Sequence, residues 1–278
     1  EESPMYVKIL DAFEGLKKQQ EALRDSVEAL KAMIKEERRF QSSTVFEGMT
    51  SIRAVISVLE NAPGRSRKIK EILYNKEREV KLHKEINWLK RISEIHGFSV
   101  NETDTQTLAS LCLGNTHGGI IALTEDKTIP PLSDCADFIK KDGFYVMIEG
   151  IEDPYNFGYA LRSLYAFGAD GVVLPERNWM TAAGVVARAS AGASELLPMA
   201  TANAEDAIDL FHKNGYFVVC GEEKTDLLLE DAEIKFPVFL IVGGEKRGIS
   251  SAVLKKADQK IKIDYGRHFA ASLSAASA

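Results

Sequence analysis

The sequence is short of several things, and each shortage closes off a class of explanation. It holds only three cysteines, Cys112, Cys135 and Cys220, an odd number with no C-x-x-C pair and no metal-ligand spacing. That excludes a disulfide framework, leaves no basis for a metal site, and points to a reduced, cytoplasmic setting. No window approaches the roughly 20 consecutive apolar residues that a spanning helix needs, and no signal peptide opens the chain, so no membrane partner is expected. A positive balance is missing as well: 35 Lys and Arg against 41 Asp and Glu give a net charge of −6, the opposite of the basic footprint usual among nucleic-acid binders. The familiar nucleotide loops are also absent. Gly243-Gly244-Glu245-Lys246-Arg247-Gly248 is followed by neither Lys-Ser nor Lys-Thr, and no G-x-G-x-x-G opens it, which weighs against an ATP- or GTP-using enzyme built on that loop.

What is present is an ordinary globular composition, 45% apolar and 27% charged, in a chain of 278 residues, long enough for two domains. The acidic average conceals a basic stretch. Arg65, Arg67, Lys68 and Lys70 head a run that reaches Arg91 with ten Lys and Arg against four Glu. Such a run is either a solvated helix face or a phosphate-binding surface, and the residues leave both readings open.

Residues 5–38 carry a heptad, with Tyr6, Phe13, Val27 and Ile34 at one position, Gln20 as its polar exception, and Ile9, Leu16, Leu23 and Leu30 three residues later. An amphipathic helix within residues 1–42 follows, built either to self-associate or to dock on the rest of the chain. Residues 43–127 read as a small α/β module: helix 50–60, strand 69–74, helix 79–96 closed by Gly97, a strand from Ser99, helix 105–111 and strand 119–123. His117, between glycines, reads as a turn residue. Residues 128–142, with Pro130-Pro131, read as a linker. Beyond them strands and helices alternate regularly: strands 144–148, 171–174, 216–220, 236–242 and 261–263, helices 158–167, 181–189, 204–214 and 250–257. Valine- and isoleucine-rich strands each followed by a helix predict a parallel sheet covered on both faces, with ligands beyond the carboxyl ends of its strands. Those ends are residues 149–158, residues 220–222 and the Gly243 loop.

Three separated stretches in this region, Asp153-Pro154-Tyr155-Asn156-Phe157-Gly158-Tyr159-Ala160-Leu161-Arg162, Val242-Gly243-Gly244-Glu245-Lys246-Arg247-Gly248-Ile249-Ser250 and residues 263–278 ending Ser272-Leu273-Ser274, resemble the three motifs of the SpoU (TrmH-like) branch of the SPOUT superfamily. Ser190-Ala191-Gly192-Ala193 and Glu195-Leu196-Leu197-Pro198 fit as well. The resemblance implies an α/β chain with a knotted (trefoil), parallel-sheet methyltransferase domain over residues 143–278. Before it would stand a small RNA-binding module and the N-terminal amphipathic helix.

The implied activity is S-adenosylmethionine-dependent methyl transfer to a ribose 2′-hydroxyl of RNA, rRNA or tRNA, by a homodimer without a metal. Arg162 is the implied catalytic residue, supported by Asn156, Glu245 and Ser272. An arginine, with its pKa above about 12, is better read as a clamp on the target nucleotide than as a base. Gly221, Val242, Gly243, Gly244, Gly248, Ile263, Leu273 and Ser274 are implied to hold the cofactor, and Arg65, Arg67, Lys68 and Lys70 to meet RNA. Two departures stand out. Ser274 occupies the family's Asn position and Asp264 its Pro position, which keeps a non-catalytic RNA-binding protein of the same fold as the alternative.

Overall fold

The computed structural model describes residues 14–31, 43–114, 117–176, 183–244, 248–267, 273 and 276–277. They belong to two units, Glu1–Ser43 and Thr44–Ala278. In the first, residues 14–31 are helical (α1), and the heptad residues Leu16, Leu23, Val27 and Leu30 are exposed along it. The other apolar heptad positions lie outside the described residues. Among the described residues no helix is long and apolar enough to cross a membrane.

The second unit opens with β1 (Thr44–Glu47), α2 (Gly48–Asn61), β2 (Ile69–Asn75), α3 (Glu79–His96), β3 (Ser99–Thr103), α4 (Thr105–Leu111) and β4 (Ile120–Thr124). These strands form one sheet in the order β1-β4-β2-β3, with β4 antiparallel to β1 and β2, and β2 parallel to β3. In α2, Ile52, Val55 and Ile56 recur at helical spacing, and with Ile86 and Leu89 of α3 they bury against Ile72, Ile120 and Ala122 of the sheet. Gly97 ends α3 in the left-handed conformation, φ 74.

A second sheet follows, built from β5 (Phe144–Ile148), α5 (Pro154–Ala166), β6 (Gly171–Leu174), α6 (Ala183–Ala189), α7 (Ala193–Leu196), β7 (Met199–Thr201), α8 (Ala204–Lys213), β8 (Phe217–Gly221), β9 (Val238–Val242), α9 (Ser251–Lys256) and β10 (Gln259–Ile261). Its order is β10-β8-β9-β5-β6-β7, and every pair is parallel. Successive side chains of β5 alternate between two cores. Tyr145 and Met147 pack with Ile208 and Phe211 of α8 and Val253 of α9, while Val146 and Ile148 pack with Phe157 and Leu161 of α5 and Val186 of α6. Both faces are therefore covered, as the unbroken apolar strands require.

Two readings change. Residues 128–142 are no free connector: Leu132 is buried in the α8 core, and Pro131 bridges Thr201 at the edge of the sheet. The last strand ends at Ile261, which places Ile263 on the loop beyond it. Helices join the two sheets. α2 packs on α7 and α6 on β1, and Arg67, beside β2, ion-pairs with Glu195 of α7 at 3.0 Å.

Candidate functional site

The order in which the chain lays down its parallel strands reverses between β5 and β9, and the loops leaving these two strands meet. A Cβ on Gly244 would lie 2.5 Å from the Gly150 carbonyl oxygen, so only glycine permits this approach. The Gly248 N–H donates to the Gly244 oxygen at 3.0 Å, pinching the loop into a tight bridge. Ser250 then caps α9, its Oγ accepting from the Val253 N–H.

Beside this junction, beyond the carboxyl ends of β8, β9 and β10, lies a cleft of about 1190 Å³ whose lining includes Gly221, Val242, Gly243, Gly244, Gly248, Ile263 and Leu273. Seven of the eight predicted cofactor residues are thus gathered in one place; Ser274 lies outside the described residues. The Leu273 N–H donates to the Tyr265 hydroxyl at 3.0 Å, tying the chain's end to the loop after β10. A Cβ on Gly221 would find only the Ile241 oxygen, at 3.8 Å, so this backbone faces open space. Leu240, Val242 and Ile261 add apolar walls, and Glu222 and Asp264 add carboxylates.

The first motif stands on α5. Asp153 caps the helix by accepting from the Asn156 N–H at 2.8 Å, with Pro154 in the first turn. A Cβ on Gly158 would lie 2.5 Å from the Ala189 methyl, so this glycine lets α5 lie directly on α6. Arg162 is exposed, on the same helix face as the exposed Tyr155 and Tyr159. Neither it nor Asn156 lines the cleft. Glu245 and Ser272 lie outside the described residues.

Of the four basic residues expected to face RNA, Arg65 and Lys68 are exposed and Lys70 is half-buried. Lys68 sits 3.3 Å from Glu125 in an exposed pair that contributes little. Arg67 differs from them: it is buried, with its Nε committed to Glu195, and does not lie on the outer surface. His117 is a turn residue in the structure, its Nδ1 accepting the Gly119 N–H at 3.1 Å. Sequence reasoning also gave no role to Glu149, which follows β5 and whose carboxyl is pushed above the usual range by burial.

Residues 143–278 match the family model described as the SpoU rRNA Methylase family. This part of the chain is similar to that family. A Staphylococcus haemolyticus relative named for the TrmH family of tRNA/rRNA methyltransferases is 36% identical over 161 residues, covering 55% of this chain and 63% of its own. A Staphylococcus aureus relative of the same name is 34% identical over the same length. The chain spans 63%, 50% and 46% of the length of three such curated relatives. Among solved structures, the AdoMet-bound rRNA methyltransferase of Sinorhizobium meliloti superposes with a TM-score of 0.67 at 23% identity, over 87% of this chain and 86% of that one. The SpoU methyltransferase AviRb of Streptomyces viridochromogenes, in complex with AdoMet, does so with a TM-score of 0.67 at 20% identity, over 87% and 88%. At such identities the SpoU likeness establishes the α/β fold and its parallel sheet.

Proposed function

We propose that the chain transfers a methyl group from S-adenosylmethionine to a ribose 2′-hydroxyl of structured RNA, rRNA or tRNA. Residues 143–278 would be the catalytic domain, tied in the family's trefoil knot, and residues 43–127 the RNA-binding module. The observation that carries the reading is the convergence of Gly221, Val242, Gly243, Gly244, Gly248, Ile263 and Leu273 on one cleft at the switch point of a parallel sheet. The cleft's chemistry fits the cofactor. Exposed backbone at Gly221 and in the Gly243 loop offers hydrogen bonds, the aliphatic walls suit a flat base, and Glu222 and Asp264 suit ribose hydroxyls or a cationic centre.

Bound there, S-adenosylmethionine would supply an electrophilic methyl group on a positively charged sulfur. The protein's task is then mainly alignment. Backbone groups fix the donor, and Arg162, permanently charged, clamps a phosphate or oxygen of the target nucleotide. Because Arg162 stands on an exposed aromatic face and does not line its own chain's cleft, a homodimer that brings α5 of one copy to the cleft of the other would complete the site.

Calorimetry with S-adenosylmethionine tests the cleft. Binding should be measurable in the native protein and lost in Gly243→Val, whose side chain would meet Gly248 and Ile249. Well-folded protein that binds no cofactor would favour the non-catalytic RNA-binding alternative. Mixing Arg162→Ala with Gly243→Val tests the shared site. Each alone is inactive, whereas randomly reassorted dimers regain about a quarter of native activity if one copy serves the other. No recovery would mean that each chain uses its own Arg162 or none.

A further inference from the structure

A second cavity, of about 880 Å³, lies in the unit Thr44–Ala278, between the turn before β2, the 128–142 segment and α7. Its size is in the range of small-molecule sites. It is distinct from the glycine-loop cleft, sharing no lining residue with it. Four cations, Arg65, Arg67, Lys127 and Lys140, and four carboxylates, Glu195, Asp134, Asp137 and Asp170, line it. Lys140 is paired with Asp170, while Lys127 lies within electrostatic reach of Glu195, Arg67 and Arg65.

Their hydrogen bonding is unfinished. Arg67, 7% exposed, gives Nε–H to Glu195 at 3.0 Å and an Nη1–H to the Glu125 carbonyl at 3.4 Å, which uses two of the five donors a guanidinium carries. Among the described residues no hydrogen bond or ion pair reaches the Lys127 ammonium, and burial works against its charge, with Glu195 opposing that effect and Arg67 and Arg65 adding to it. Ser194, 6% exposed, also lines the cavity, and its Oγ is buried without a hydrogen-bond partner. A buried hydroxyl, a buried guanidinium with spare N–H groups and an unpaired ammonium around one cavity leave costly vacancies that an anion rich in acceptor oxygens would fill.

The rest of the lining indicates what that anion is attached to. Ile129, Phe138, Phe157 and Met199 provide apolar wall, while Asp134 and Asp137 provide acceptors for N–H or O–H groups. We propose that this cavity is a second ligand site, separate from the methyl-donor cleft, that binds a nucleotide through its phosphate. Arg67, Lys127 and Ser194 would hold the phosphate, and the apolar wall would take the base. The cavity is too small for a duplex. It would admit a free nucleotide or a single nucleotide of an RNA strand, and both present the same phosphate chemistry.

Uridine 5′-monophosphate is the probe, because its pyrimidine does not mimic the adenosine of the other cleft. Calorimetry or equilibrium dialysis should show it binding, with uridine at least tenfold weaker. Lys127→Met should weaken it tenfold or more, and Ser194→Ala severalfold, with little change in melting temperature, since Ser194 Oγ has no hydrogen bond to lose and the Lys127 ammonium loses only a longer-range attraction to Glu195. A short oligouridylate that binds more tightly and with the same sensitivity to Lys127→Met would support the site and assign the nucleotide to RNA. The idea fails if neither probe binds at millimolar concentration, or if binding is indifferent to both substitutions.

Discussion

Replacing Arg67 by alanine should destabilise the chain far more than the loss of a surface cation would. Arg67 and Glu195 are 7% and 5% exposed, and their charges meet at 3.0 Å. Alanine would leave the Glu195 carboxylate sealed without its partner, and breaking a buried pair costs about 3–5 kcal/mol. Lys127 is near enough for its charge to interact with Glu195, so the lower end applies, about 3 kcal/mol; in a body of this size that is a fall in Tm of roughly 6–12 °C. Removing both charges in Arg67→Met/Glu195→Leu should recover most of the loss, to within about 1 kcal/mol of the native protein, because the pair must also offset its own desolvation. Scanning calorimetry and urea titration of the native protein, Arg67→Met, Glu195→Leu and the double variant give the coupling directly. If Arg67→Ala costs no more than about 1 kcal/mol, the scale of an exposed pair, the two charges are solvated and do not lock α7 to the first sheet.

Gly158→Ala should cost about 1–3 kcal/mol by overpacking, read as a lower Tm, because the new methyl would lie 2.5 Å from that of Ala189. An unchanged Tm would show that α5 and α6 are free to separate. Replacing Arg65, Lys68 and Lys70 by alanine should reduce the log-log salt slope of RNA binding by roughly 0.7–0.9 for each phosphate that is no longer neutralised; an unchanged slope would assign these charges to solubility alone. Burial first, and then the Glu149 charge, push the Cys220 thiol from its ordinary 9.0 up to about 12. The folded state therefore favours the protonated thiol: its contribution to stability is whole below pH 9.0 and fades as pH rises toward 12. At pH 8 an alkylating reagent should label Cys220 only on unfolding, and fast labelling of the native protein would contradict its burial.

Most of the helices and strands could be read from periodicity because they are long enough to show it. α3 ends where Gly97 allows, and β5 and β6 match the apolar runs that predict them. The missing elements, β1, α7 and β7, have four, four and three residues, too few to establish a period, and their pairing is settled by distant partners. The glycine loop could be read because its local sequence states its backbone needs. The burial of Arg67 was not legible for the opposite reason: its sequence neighbours Arg65 and Lys68 are exposed, and only the fold brings Glu195 across from 128 positions away. The second cavity left no local signature either, since Ser194 of α7, Lys127 beyond β4 and Arg67 before β2 are gathered from three separate stretches.

The central claim is methyl transfer to a ribose hydroxyl, and the product reports on it most directly. RNA from cells lacking the gene should be incubated with the purified protein and S-adenosylmethionine labelled in its methyl group, then digested to nucleosides. The account predicts label in a single 2′-O-methylnucleoside, absent with Arg162→Ala. Label in a base-methylated nucleoside, or none with native protein that binds the cofactor and the RNA, would contradict it.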